Sequence, residues 1–361
     1  MSMGKAGAMT TQSGLSLGML LLGHHPLESL VEQAQVAERC GYDIVWLADE
    51  RFYREVYSCL THFAAQTTRV RLGPCVTDPY ARHPALTASA IATLDEISGQ
   101  RAMLAIGAGI SGFAELGITR HKPAKAIEEA VQLIRRLLRG EKVDFHGETV
   151  HFNDGKLSFT PVRADIPIYV ASNGPLGHRT AGMVADGAIM EACATPEELR
   201  ALRANVDAGA AKARRNPKDV KIVLRLNTCV SRDGKAARDA VRPTVARLLG
   251  AGRLKLATLA DRGLALPAEA VASVAGAHYA AGVAPYRSLL PLISDAHVAA
   301  CTLAGTVDEV TEQLIGLRRA GMDSVITMPF AAAGSTEAET IRLFGEKVWP
   351  AVKAALPAEG A

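Results

Sequence analysis

GPCVTDPYARHP, residues 73–84, follows the apolar segment 70–72 and precedes a helical pattern. Its twelve positions hold three prolines, a cysteine and several ionisable side chains. From the residues alone two readings stay open, a stiff connector or a bend fixed in place for a ligand. The fold follows from where the stretch lies, because it joins a strand to a helix in a repeating series.

Working outward, residues 15–22 read as a strand, and Pro26 opens a helix with Leu30, Val31, Ala34 and Ala37 near one face, closing at Cys40 and Gly41. A buried strand at 44–48, a polar loop at 49–55, a helix at 56–67 and a strand at 70–76 follow. Beyond the quoted stretch come a helix at 85–98, a strand at 102–107 and a periodic helix at 123–139. Such alternation forces parallel strands with right-handed crossovers. Residues 143–152, VDFHGETVHF, read as an inserted hairpin turning at Gly147. The alternation resumes with strands at 168–171, 188–190, 220–230 and 324–328. Helices at 176–184, 196–213, 236–249, 307–320 and 336–355 follow or separate them. Residues 250–301 are Ala-rich with no clear strand and read as a helical insertion.

Eight strand–helix units describe a (β/α)8 TIM barrel. A doubly wound open sheet is the rival, since alternation does not separate open from closed. The reading adopted is an α/β chain with one TIM-barrel domain over residues 15–355. Its insertions, about 141–165 and 250–303, follow the fourth and seventh units. Residues 1–14 form a disordered leader and 356–361 a tail.

Forty Lys and Arg against 37 Asp and Glu leave a net charge of +3, which gives no reason to expect nucleic acid. The basic run at 212–218 reads as a solvated helix end. Six cysteines, at 40, 59, 75, 193, 229 and 301, are scattered without a CxxC pair, which suits a reducing cytoplasm and offers no metal site. No apolar run approaches the ~20 residues of a membrane span, and the start lacks the apolar core of a signal peptide.

In a TIM barrel, functional residues lie where strands run into the following loops. That rule selects Asp49, Glu50 and Arg51, then Cys75 to Asp78, Gly107 to Gly112, and Ala171 to Pro175. In SNGPLGHRTAGMVADG, residues 172–187, small residues precede a helix start, where free N–H groups hold an anion. An ordinary capped helix is the alternative there. GAGISG spells G-x-G-x-x-G at 107, 109 and 112, yet Gly117 and Pro123 postpone the helix that a dinucleotide site needs. A Rossmann dehydrogenase is therefore a minor reading. No H-E-x-x-H or G-x-S-x-G occurs, His24 and His25 do not share a helix face, and His62 reads as structural. Met19, His24 and Phe52 are candidates for a substrate wall, with Met19 better suited to the core. Asp49 and Glu50 are the carboxylates best placed for acid–base work.

Four stretches occur in order: TDPYARHP (77–84), IATLDEISGQRA (91–102), NGPLGHRTAGMVADGA (173–188) and AGTVDEVTEQL (304–314). Together they resemble the luciferase-like flavin/deazaflavin oxidoreductases, and within them the coenzyme F(420)-dependent methylenetetrahydromethanopterin reductases, over about residues 15–355. The resemblance implies a TIM barrel, a homodimer and a non-proline cis peptide, by position Cys75–Val76, that supports the central ring of the cofactor. The opening stretch is then the frame of a ligand site. By the same resemblance Ser172, Asn173, Gly174, Pro175 and Leu176 bind the cofactor phosphate through backbone N–H groups, and Ala171 belongs to the cofactor site. Thr77 and Asp49 lie near the polar edge of the ring, and Gly107 and Ala108 border it. Two departures stand out. Leu20 occupies a place where related reductases carry Glu, and Glu50 stands where they carry His, so Glu50 is assigned the proton-transfer or substrate-binding role.

The implied function is a cytoplasmic oxidoreductase that uses coenzyme F(420) (deazaflavin) or FMN to transfer hydride to or from a small organic substrate, with Glu50 and Asp49 catalytic. One alternative is a luciferase-like monooxygenase using reduced FMN and O2 with a partner flavin reductase. Another is a non-catalytic flavin-binding protein. No membrane, nucleic-acid or metal partner is expected.

Overall fold

The computed structural model describes residues 15–109, 112–192, 194–252, 257–277 and 281–356. The expected leader, tail residues 357–361, Cys193, and Ile110 and Ser111 of the GAGISG stretch lie outside the described residues. The chain runs β1 (Ser16–Leu21), α1 (Leu27–Arg39), β2 (Ile44–Leu47), α2 (Val56–Gln66), β3 (Arg71–Pro74), α3 (Pro84–Ile97), β4 (Leu104–Gly107) and α4 (Pro123–Leu138). The hairpin β5 (Val143–His146) and β6 (His151–Gly155) follows, then β7 (Ile168–Ala171), α5 (Pro175–Val184), β8 (Gly187–Glu191), α6 (Pro196–Lys212), β9 (Lys221–Val230) and α7 (Gly234–Gly250). After α8 (Ala257–Asp261), α9 (Ala268–Ala272) and α10 (Asp295–Cys301) come β10 (Thr302–Gly305), α11 (Val307–Arg319), β11 (Ser324–Pro329), α12 (Glu337–Leu343) and α13 (Trp349–Ala355).

Eight parallel strands follow one another in the order β3-β2-β1-β11-β9-β8-β7-β4. The two end strands meet through the parallel bridges Leu72↔Ala102 and Thr77↔Ile106, so the sheet closes on itself. That closure settles barrel against open sheet. The β3–β4 ladder lapses between its bridges because the chain bulges at Cys75–Val76, where the peptide bond is cis. On either side of the bulge, the Met103 N–H donates to Leu72 O at 2.8 Å and the Thr77 N–H to Ala105 O at 3.0 Å. Gly73 permits this approach, since a Cβ there would collide with the Met103 carbonyl.

Side-chain alternation divides the barrel strands between two cores. Leu17, Met19 and Leu21 enter the shell between sheet and helices, which confirms Met19 as core rather than wall. Leu20, Trp46, Tyr169, Ile189, Val223 and Ile326 fill the barrel interior. The rings of Trp46 and Tyr169 lie there with their centres 6.1 Å apart. Glycines face them: a Cβ at Gly18 would stand 3.1 Å from Trp46 Nε1, and one at Gly187 3.0 Å from the Tyr169 ring. Large side chains opposite absent ones make a packed interior instead of a pore.

The expected hairpin docks on α4 through Glu129. This carboxylate accepts hydrogen bonds from the N–H groups of Glu148 (2.8 Å), Thr149 (2.9 Å) and Val150 (3.1 Å), and from the Thr149 hydroxyl (2.7 Å). Gly147 at the turn leaves room for the carboxylate.

The second insertion is largely helical, with one correction. Residues 302 and 303, counted within the approximate bounds of the insertion, instead begin β10, whose four residues pair in parallel with Asn227 to Val230 of β9. TLAG is short, lacks an alternating pattern and follows α10 directly, so periodicity alone does not reveal it. The closing helix is also divided, by a π-type turn at Phe344–Val348 just before Pro350, which lacks the N–H an α-turn would use. Among the described residues no helix is long and apolar enough to cross a membrane.

Candidate active site at the barrel mouth

The cis bulge carries β3 out of the barrel at its C-terminal end. Cys75 is buried, Val76 half-buried, and Thr77 fully buried with no hydrogen-bond partner for its hydroxyl. Gly107 lies between Val76 and Ala171: a Cβ there would be 3.0 Å from Val76 Cγ2 and 3.2 Å from the Ala171 carbonyl. Ala108 follows, half-buried. Burial pushes the Cys75 thiol up to about 12, so it remains a neutral wall rather than a nucleophile.

From β7 the chain turns into α5 through Ser172, Asn173 and Gly174. The Ser172 N–H donates to Ile189 O at 3.0 Å, and its hydroxyl accepts from the Gly174 N–H at 3.2 Å. Asn173 Oδ1 accepts from the Glu191 N–H at 2.9 Å, tying this loop to β8. The Gly174 N-cap supplies no side-chain cap. Pro175 has no N–H to give, which corrects its expected share in phosphate binding. The N–H groups of Leu176 and Gly177 are left free by the geometry of a first helical turn. The Leu176 side chain itself is exposed. A Cβ at Gly177 would collide with the Ser172 hydroxyl, so glycine lets that hydroxyl lie against the turn. His178 places Nε2 3.0 Å from the Ser172 carbonyl, and burial lowers its pKa, which keeps the imidazole neutral.

Asp49 and Glu50 are half-buried just after β2. The neighbouring Arg51 fixes their loop: its Nη1 donates to Asp49 O at 2.7 Å, and its guanidinium pairs with Asp78 beyond the β3 bulge. Asp78 also accepts from the N–H groups of Tyr80 (2.8 Å) and Ala81 (2.9 Å). Arg51 and Arg120 lie 5.0 and 5.1 Å from the centre of the Phe113 ring. Gly109 and Gly112, at left-handed φ of +64° and +72°, leave space for Phe113 and Arg51. Gly109 and Gly112 of GAGISG therefore serve loop packing, and α4 begins only at Pro123. Phe52 is 70% exposed on the same loop, and His24 sits 5.3 Å from the Tyr53 ring. The described residues contain no cluster of metal-ligating side chains.

The described residues selected at the strand ends, Asp49 to Arg51, Cys75 to Asp78, Gly107 to Gly109 and Ala171 to Pro175, thus follow the C-terminal ends of β2, β3, β4 and β7. Two others share that end of the barrel and were not selected. Glu191 on β8 and Arg225 on β9 form an ion pair of 2.9 Å, and Arg225 Nη2 also meets Met328 Sδ at 3.0 Å. The signal was present in the alternation of Gly187, Ile189 and Glu191, and of Val223 and Arg225. Ending the sixth strand at Met190 hid it.

The family of luciferase-like monooxygenases matches residues 2–324. A 5,10-methylenetetrahydromethanopterin reductase of Archaeoglobus fulgidus is 36% identical over 321 residues, covering 88% of this chain and 94% of that protein. A second reductase of that name, from Methanolobus tindarius, is 29% identical over 92% of this chain and 99% of its own. The solved coenzyme F(420)-dependent tetrahydromethanopterin reductase of Methanopyrus kandleri superposes with a TM-score of 0.83 at 27% identity, covering 94% of this chain and 99% of that one. A closed parallel barrel, a cis bulge after its third strand and a match along most of the chain agree: this chain belongs to the luciferase-like monooxygenase family.

Proposed function

We propose that this chain is an oxidoreductase that moves hydride between bound coenzyme F(420) and a small organic substrate at the barrel mouth. The observation that carries the reading is a fit between this cofactor and two unmet needs of the mouth. The buried Thr77 hydroxyl lacks a partner, and the first turn of α5 lacks a cap. The polar edge of a deazaflavin ring answers the first, and a phosphate-bearing tail the second. Relatives named as reductases of methylenetetrahydromethanopterin, 36% and 29% identical, support the same choice.

When bound, the deazaflavin supplies a two-electron hydride carrier, while the protein supplies orientation and electrostatics. Cys75 and Val76 form the wall against the ring, and the smallness of Gly107, Ala108 and Ala171 keeps the facing space open. The Ser172 hydroxyl and the Asn173 side-chain amide, with the N–H groups of Leu176 and Gly177, hold the phosphate, and Gly174, with open space where a Cβ would stand, leaves room for it. Asp49 and Thr77 meet the polar edge. Glu50 handles a proton or a substrate hydrogen bond from the same braced loop. One domain over residues 15–355 carries this activity, as a cytoplasmic homodimer without a metal.

Titrating the apo-protein with deazaflavin and FMN side by side, followed by fluorescence, tests the reading. Deazaflavin is expected to bind at least tenfold more tightly. Preference for FMN moves the chain to the O2-using monooxygenases with a flavin reductase partner, and binding of neither overturns the cofactor assignment.

A further inference from the structure

Above the Trp46–Tyr169 layer, the barrel-facing strand residues are small or apolar except along one wall. That wall consists of Glu191 on β8 and of Arg225 and Asn227 on β9. Val223 belongs to the barrel interior, whereas Leu224 and Leu226 belong to the outer shell. Strand alternation therefore puts Asn227 on the same face as Arg225, one pleat nearer the mouth.

Neither feature of this wall is explained by stability. A partly buried ion pair replaced by apolar residues of similar size usually costs nothing, because desolvation offsets the attraction. Asn227 is 2% exposed, yet its Oδ1 has no partner, and an unmet buried acceptor is a penalty. The Arg225 fork spends its shown contacts on Glu191 and on a thioether, which is a weak acceptor. Arg225 and Glu191 lie within electrostatic reach of the Cys75 thiol, which shares the interior cluster with Val223, two residues before Arg225 on β9.

We infer that Arg225 and Asn227, with Glu191 as counter-ion, are the substrate-recognition residues of this mouth, and that they take an uncharged amide-like edge. Its carbonyl accepts from Arg225 and its N–H donates to Asn227 Oδ1. Glu191 cancels the charge of Arg225, so a carboxylate in the same place gains little. The inference rests on the proposed cofactor site for the identity of the mouth as the reaction chamber, but its test does not depend on the cofactor.

Acetamide and acetate, titrated at constant ionic strength into the apo-protein, serve as neutral and charged probes. Trp46, buried beneath the wall, supplies the fluorescence readout, with Trp349→Phe as background to remove the other tryptophan. Saturable acetamide binding is expected, with acetate at least tenfold weaker. Arg225→Met and Asn227→Leu should each weaken acetamide at least fivefold. Glu191→Gln should raise acetate affinity at least fivefold, a reversal that a purely structural role would not produce. Thermal melts identify any variant that fails to fold, and Glu191→Gln and Asn227→Leu still decide the matter if Arg225→Met does. Absence of saturable acetamide binding, or equal probe affinities across folded variants, overturns the inference. If deazaflavin fails to bind while the probe pattern holds, the cofactor reading fails and the recognition wall stands.

Discussion

The guanidinium of Arg51 joins two loops of the barrel mouth by pairing with Asp78 while holding the backbone carbonyl of Asp49. One side chain thereby fixes the candidate carboxylates relative to the β3 bulge. Asp78 is 2% exposed, so removing its cation leaves a buried carboxylate uncompensated. Arg51→Met is expected to cost about 3–5 kcal/mol in urea unfolding. Arg51→Lys should recover part of that loss, because it keeps the charge but not the planar fork.

Two glycines near the site should respond in opposite ways to alanine. At Gly73 the new methyl group meets the Met103 backbone, which has nowhere to move. Gly73→Ala should therefore destabilise the barrel by roughly 3 kcal/mol or more. At Gly177 it meets the Ser172 hydroxyl, a side chain that can rotate away. Gly177→Ala should leave thermal stability nearly unchanged while weakening deazaflavin binding about tenfold. Melting curves and fluorescence titrations read the two effects separately.

Acid should loosen the hairpin on α4. Burial by itself would raise the Glu129 carboxyl, but the hydroxyl of Thr149 and the N–H groups of Glu148, Thr149 and Val150 outweigh it and hold the group at about 2. A depressed carboxylate stabilises the fold fully above its unfolded value near 4.5 and loses that contribution as pH falls toward 2. The contribution is on the order of 3 kcal/mol. Glu129→Gln should be markedly less stable than the parent at pH 7, with the gap narrowing by pH 3 in urea denaturation.

Glu50→Gln should lower turnover by about 10²–10⁴ while leaving deazaflavin affinity within threefold, since it removes a titrating group without changing shape. A parent-like rate in a folded, cofactor-binding variant would remove Glu50 from the chemistry.

The barrel was legible because its strands are apolar and regularly spaced, from Ile44–Leu47 to Ser324–Pro329. Residues at strand ends were legible by rule, which is how Asp49, Cys75 and Ser172 came together. The cis bond at Cys75–Val76 was expected through family resemblance; no local residue pattern demands it. β10 escaped because a four-residue strand owes its existence to a neighbour over 70 residues earlier. Glu191 and Arg225 escaped for a related reason: each is a polar position within a largely apolar segment, and only pairing of β8 with β9 shows that they meet.

β9 is ten residues long and serves three neighbours, β8 through Arg225, β11 through Thr228 and β10 from Asn227 onward. The inserted helices are thus not a detachable ornament: the chain that leaves them is stitched to the same rail that carries Arg225 and Asn227. A change of length between residues 257 and 301 that pulls β10 out of register would tug directly on that rail. Grafting this insertion between relatives should therefore succeed only when β9 travels with it.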